Sequence, residues 1–440
     1  MDQELELAKA IKNGTLDLIC PEMELLVCPS YHEVALKGAG VIRSDQLGRL
    51  YCRMIAPFSS PRHDSLFGVK PIGKLYVPED YVMLRAIDEK GREWRSNPIR
   101  VDLHNDLPVS NYEVHTQLSS ILNSEQRGES KDSCVLVVIP RVPDLPFDAL
   151  TQTSRLVDKR ETGFSSCLDH HKHAIGNATV TFRRLEGGFL SVSAVQHGAF
   201  FSRWAGLMCQ ALSFAVAQTL SPAVIVREFN DRIDLSLYSG PFWRLVSMMH
   251  RPVPFTDLRG RYDFWRLVEL FFLHVERDQV EPHPLLEEIE GIRRGSQGSL
   301  QTACLTLAVG IESIARLLLH DNFSALIPRP SIAPLLKYLD AWDGDDTLKK
   351  RAEGSLSQMV DIRASDLMYA WAEGTGVDKK LVDDWRKLRN PKAHGSSVAL
   401  ESGWGLYCSA LELFNRIIAY AVGYDGQILQ TSQPGWGIPQ

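Results

Sequence analysis

The sequence predicts a multidomain α+β protein, with a mostly antiparallel β-rich region over residues 1–255 and an all-α helical bundle over residues 256–440. Three observations carry this. At 440 residues the chain exceeds what one hydrophobic core usually organises. Apolar residues alternate in short runs in the first half and recur at helical spacing in the second. Between the two textures, Arg251-Pro252-Val253-Pro254 interrupts both patterns, because proline lacks the backbone donor that either structure needs.

In the first region Tyr81–Ile87 reads as a strand, and Asp88-Glu89-Lys90-Gly91 turns it into Arg92–Arg95. Cys134–Ile139, apolar throughout and closed by Pro140, suits a buried strand. Ala178–Phe182 and Phe189–Val195 flank Glu186-Gly187-Gly188, a hairpin signature. A helix over about 199–219 follows, with Phe201, Trp204, Met208 and Phe214 at core spacing, and then a strand pair, Ala223–Phe229 and Ile233–Tyr238. In the second region helices are expected at Tyr262–Glu276, at Leu286–Leu319 with a break near Gly295 or Gly298, at Ser331–Trp342, Ser357–Ala372 and Lys379–Leu388, and at Gly405–Val422. Internal repeats and low-complexity tracts are absent from the sequence.

A net charge of −6 excludes a polycationic chain, so any nucleic-acid contact must come from a local basic patch. The N-terminus lacks the apolar core of a signal peptide. The most apolar stretch, Ala199–Leu220, is broken by Arg203, Gln210 and Gln218, which favours a buried helix over a membrane span. The eight cysteines follow no small-scaffold spacing. Together these features lead us to expect reduced thiols and a cytoplasmic protein.

Chemistry concentrates in Trp385-Arg386-Lys387-Leu388-Arg389-Asn390-Pro391-Lys392-Ala393-His394-Gly395. Asn390 suits a helix N-cap and Pro391 the first helical position, which would set Arg389 and His394 together beside free backbone N–H groups. Such a helix start attracts anions, and Arg386, Lys387 and Lys392 add positive charge, so the expected ligand is a phosphate. In RNA the 2′-hydroxyl can attack the adjacent phosphate without a metal or cofactor. His394 would then be the general acid or base, and Arg389 would stabilise the developing charge. A two-fold dimer would supply a second His394 for the other proton transfer. The plainer reading is a solvated helix end followed by a turn that starts at Asn390-Pro391. Arg244/His250 and Arg277/His283 have related spacing but lack an Asn after the Arg, and we treat them as decoys.

This motif, the helix Leu305–Ile314 with Glu312, and the closing segment Leu413–Gly426 with Gly423-Tyr424-Asp425-Gly426 resemble the HEPN superfamily, and within it the ApeA-like bacterial abortive-infection proteins. The resemblance covers roughly the last 150 residues, and in the first region only Gly38-Ala39-Gly40-Val41-Ile42 and the β-rich character look similar. It implies a homodimeric, metal-independent endoribonuclease leaving 2′,3′-cyclic phosphate ends, acting on RNA such as a tRNA anticodon loop in phage defence. The first domain would sense a phage-derived trigger. Arg389 and His394 are implied as catalytic, Asn390 as the residue that positions them, and Glu312 as an acidic residue facing the site. Glu312 could equally pair with Arg316 one turn away. The alternatives are a non-catalytic HEPN module that binds RNA, nucleotides or a partner, and a purely structural dimerisation domain.

Cys167-Leu168-Asp169-His170-His171-Lys172-His173 holds every common metal-ligand type but no matched second pair, so a polar loop is expected there and no metal. Lys349-Lys350-Arg351 reads as a solvated helix start that could also line an RNA groove.

Overall fold

The structure, a computed structural model, describes residues 2–28, 31–57, 81–101, 103–104, 111–128, 132–157, 160–229, 231–240, 242, 247–278, 280, 282–327, 331–393 and 400–432. The chain divides into two compact units, Met1–Leu212 with Leu220–Arg244, and Ser213–Thr219 with Leu245–Gln440.

The first unit is β-rich, as its alternating sequence demands. A helix, α1 (Asp2–Lys12), precedes β1 (Asp17–Val27), β2 (Val34–Ser44), β3 (Leu50–Pro57), β4 (Val82–Ile87), β5 (Glu93–Ser96), β6 (Leu103–His104) and β7 (Asn111–Leu118). Then come β8 (Ser120–Gln126), β9 (Asp132–Ile139), β10 (Ala149–Val157), β11 (Arg160–Ile175), β12 (Ala178–Leu185) and β13 (Phe189–His197). A helix, α2 (Trp204–Ala215), separates these from β14 (Val224–Glu228) and β15 (Arg232–Tyr238). The strands form one sheet in the order β10-β11-β12-β13-β9-β14-β15-β8-β5-β4-β1-β2-β3-β7-β6. Every neighbouring pair is antiparallel.

So long a sheet buries an apolar face only by folding over on itself. Met23, Leu36, Met54 and Leu84 accordingly share one core with Val138, Val224 and Leu237 from the other half of the strand order. Ala8 and Ile11 of α1 enter that core with no exposed surface.

Two hairpins of this unit are closed by the same device. Asp88 accepts from the backbone N–H of Lys90 and Arg92, from Arg92 Nε and from Trp94 Nε1. Asp45 accepts from Leu47 N, Arg49 N and Arg49 Nε, and in both turns a glycine (Gly91, Gly48) adopts positive φ. Burial pushes the Asp88 carboxyl up, but these donors outweigh it and hold the group below its ordinary value. A depressed carboxyl adds stability above the unfolded aspartate value of about 3.9 and loses it as pH falls through the folded value. The urea midpoint of the wild type should therefore fall on acidification below about pH 4. Asp88→Asn should lower stability by about 1–3 kcal/mol at pH 7 and flatten that acid slope. Titrating the midpoint against pH measures both.

The Gly38-Ala39-Gly40 run has a steric cause. A Cβ on Gly40 would lie 2.0 Å from the Arg53 carbonyl oxygen of β3, and one on Gly38 2.1 Å from that of Ile55. The two strands approach too closely for a side chain. Gly40→Ala should cost about 1–3 kcal/mol through forced backbone shifts, measured by chemical denaturation.

Near 167–173 the structure corrects the expectation of a loop: these residues lie within β11, which pairs on both edges. Asp169 and His171 are buried and His173 half-buried on the inward side, with Leu168 and Lys172 outward. The period of two was hidden because the inward positions are polar. Asp169 accepts from Thr151 at 2.7 Å, and His171 lies 2.8 Å from Asp148. Among the described residues, no group of three or more such side chains is arranged to hold a metal ion.

The second unit is helical: α3 (Leu258–Asp278), α4 (Pro284–Gly295), α5 (Leu300–Phe323), α6 (Ala333–Asp340), α7 (Asp346–Val360), α8 (Ala364–Thr375), α9 (Lys380–Ala393) and α10 (Leu400–Ala421). The break expected near Gly295 falls between α4 and α5, where Ser299 caps α5 by accepting from Thr302 N. Helix α5 is the centre of this bundle, packing against α4, α8, α9 and α10. Residues Leu300–Leu326 are long and apolar enough to cross a membrane. On one face of this helix Cys304, Leu307, Ala308, Ile311 and Ala315 are buried in the bundle, while Leu305, Val309 and Leu317 are exposed. Cys20, Cys28, Cys52, Cys134, Cys209, Cys304 and Cys408 are free thiols.

The helix expected over Ser357–Ala372 is two helices. Asp366 accepts from the Arg363 backbone N–H and restarts the chain as α8. The Lys349-Lys350-Arg351 run sits near the start of α7, behind the Asp345 cap.

Candidate functional site

Arg389 stands at the start of the last turn of α9, and the ring of Trp385 fixes the helix below it. The Trp385 indole is 2 % exposed and donates from Nε1 to the Ala308 carbonyl of α5 at 2.9 Å. One turn further along both helices, Arg389 Nε donates to Glu312 Oε2 at 2.7 Å. The two contacts advance together, so α5 and α9 run side by side in the same sense here. The pair is only partly exposed, Arg389 at 39 % and Glu312 at 24 %. Glu312 Oε1 also meets Arg316 at 3.5 Å, the pair expected one turn away in its own helix.

The helix assignment around the motif needs correction. Helix α9 continues through Arg389, Asn390 and Pro391 to Ala393, so Asn390 is not an N-cap and Pro391 is not a first helical residue. Apolar residues Leu381, Val382, Trp385 and Leu388 pack one side of α9 into the bundle. That burial carries the helix past its proline, which lacks the N–H for the bond back to Lys387. The consequence is electrostatic. The end of a helix bears partial negative charge, which favours cations and not anions.

The basic side chains of the motif are not all brought together. Arg386 lies three residues before Arg389, on the same flank of the helix, and donates to the Tyr369 hydroxyl at 3.4 Å. Tyr369 in turn donates to Asp383. Lys387 projects from the other flank, where Asp384 holds it at 3.1 Å and also takes Lys380 at 2.8 Å. The sequence reading missed these acidic partners, although the i, i+3 and i, i+4 spacing of Asp383 and Asp384 to the bases announces them. His394 lies outside the described residues, as do the side chains of Asn390 and Lys392. Of the decoys, His283 lies 3.1 Å from Asp278.

The Gly423-Tyr424-Asp425-Gly426 segment is a structural stop. Gly423 adopts φ 75° beyond α10, and Tyr424 N donates to the Ala419 carbonyl. The buried Tyr424 ring covers Gly426, where a Cβ would lie 2.3 Å from its hydroxyl. The chain then folds back along α10, and Ser432 donates to the buried Glu412 through both its amide and its hydroxyl.

What the described groups offer is a guanidinium oriented by one carboxylate, at the rim of a helical bundle, with a second guanidinium on the same flank. An Arg has five N–H donors in a planar fork, and Glu312 engages the Nε–H. Such a fork suits a phosphate or a phosphorane-like transition state. No protein-family model matches the chain, and no curated protein matches it.

Proposed function

We propose that this chain is a metal-independent endoribonuclease of the HEPN type, similar to the ApeA-like group. It would act in the bacterial cytoplasm in abortive-infection defence against phage. The observation that supports the reading best is the ion pair between Arg389 and Glu312, 77 residues apart in sequence. It ties the motif helix to the upstream helix at the glutamate that the HEPN resemblance singles out.

In this reading a ribose 2′-hydroxyl attacks the adjacent phosphate of RNA. The product ends are a 2′,3′-cyclic phosphate and a 5′-hydroxyl. His394 moves the proton, Arg389 stabilises the equatorial oxygens, and Glu312 fixes the guanidinium. Asn390 positions the pair, while Arg386 and Lys392 hold the flanking backbone. A homodimer supplies the second His394. A tRNA anticodon loop presents the accessible single strand this needs, and the β-rich unit receives the phage-derived trigger that releases cleavage.

The test is to incubate purified full-length protein with total RNA in EDTA. Cleavage supports the proposal. Binding without cleavage identifies a non-catalytic HEPN module, and neither outcome leaves a helical dimerisation domain. Glu312→Gln separates positioning from folding: it should lower kcat by about ten- to a hundredfold with KM little changed. Loss of this partly exposed pair should alter stability by under about 1 kcal/mol.

A further inference from the structure

One face of the β unit carries an arrangement that the nuclease reading does not use. Along β3 the outward positions are Tyr51, Arg53 and Ile55, and Arg49 continues the alternation just before the strand. Cross-strand register sets Arg43 of β2 opposite Tyr51, and His115 of β7 opposite Arg53. Two guanidinium groups and two rings therefore alternate like a checkerboard across three strands. The Tyr51 and His115 ring centroids are 5.7 Å apart, and the Arg49 guanidinium lies 5.6 Å from the Tyr51 ring. Arg43, Tyr51, Arg53 and His115, with Asp45 and Glu113, line a cleft of about 590 Å³.

The geometry points to a binding site for a nucleoside monophosphate on this face of β2, β3 and β7. Each half of the chemistry is present. Rings at a strand surface stack on a base, which every nucleobase tolerates because each has a π-face. Guanidinium forks match phosphate oxygens. A purely apolar ligand would leave the arginines unused, and inorganic phosphate would leave the rings unused. The cleft volume falls within the range of about 300–1,000 Å³ typical of small-molecule sites.

The carboxylates do not forbid an anion. Asp45 is engaged by Arg49 and two backbone amides. Glu113 holds Arg53 at 2.6 Å and Asp17 holds Arg43 at 2.9 Å, with both guanidinium groups about 60 % exposed. Exposed pairs of this kind contribute about 0–1 kcal/mol, so a phosphate can replace the carboxylate at either arginine. All of these residues belong to the β unit, so the site stands or falls independently of the nuclease reading.

The experiment is equilibrium dialysis of the full chain against labelled AMP, GMP, CMP and UMP, each separately. At least one should bind with a Kd below about 1 mM, at one equivalent per chain. Tyr51→Ala and Arg53→Ala should each weaken it about tenfold or more, and Tyr51→Phe, which keeps the ring, by less than about threefold. If an alanine variant melts early, Arg53→Lys decides, since it keeps the charge and loses the fork. Weakening by about threefold or more then supports the site, and unchanged binding overturns it. The proposal is also overturned if all four nucleotides bind more weakly than about 1 mM, or if binding keeps full strength in folded Tyr51→Ala and Arg53→Ala.

Discussion

His394→Ala is expected to slow RNA cleavage by about 10²–10⁴-fold, and Arg389→Ala by about 10²–10³-fold, in single-turnover assays. The two losses have different origins. Without the imidazole, water must move the proton that leaves the 2′-hydroxyl or reaches the departing oxygen. Without the guanidinium, negative charge on the phosphorane-like transition state loses its paired donors. Because both act on one transition state, the double variant should be no slower than the worse single variant by more than a small factor. Arg389 is 39 % exposed, and its removal leaves the buried face of α9 intact, so the variant should fold normally. RNA binding without cleavage should survive in His394→Ala. Rates within about threefold of wild type in both variants would remove these residues from catalysis.

Trp385→Ala is expected to be the most damaging change to the helical unit. The indole is 2 % exposed and makes the hydrogen bond that sets the register of α9 on α5. Truncation leaves a cavity and an unmade bond, at a cost of about 3–5 kcal/mol, or on the order of 10 °C in melting temperature for a unit of this size. Trp385→Phe fills most of the volume but leaves the Ala308 carbonyl without the indole donor, and should cost about 1–2 kcal/mol. Trp385 is one turn before Arg389, so cleavage should fall along with stability even in the milder variant. Calorimetry and cleavage on the same preparations check the link.

How far the sequence revealed this architecture depended on where the signal sat. The hairpin at Glu186-Gly187-Gly188, where both glycines have positive φ, was legible because glycine and alternating apolar residues coincide there. The α4–α5 break was legible because Gly295, Gly298 and Ser299 cluster there. Strand β11 was not, because Asp169, His171 and His173 occupy its inward positions. Strand order was not either: pairing β9 with β13 and β14 is a non-local choice that no local pattern encodes.

The site was legible in part. The Arg389 motif and Glu312 were found through their resemblance to a family, but local capping rules misread the motif as a helix start. Asn390-Pro391 has the right residues for one, yet the buried stripe of Leu381, Trp385 and Leu388 outweighs them and extends α9 to Ala393. The basic patch also proved smaller than the sequence suggested, because Asp384 draws Lys387 to the far flank.

The central claim is that the RNA's own 2′-hydroxyl is the nucleophile at a site built from Arg389 and His394. The most direct test is to map a cleavage site on a defined RNA and replace that one ribose with 2′-deoxyribose, with EDTA present. The account predicts a 2′,3′-cyclic phosphate and a 5′-hydroxyl on the all-ribose strand, and no cleavage at the substituted position. Continued cutting there, or products with 3′-hydroxyl and 5′-phosphate ends, would contradict it.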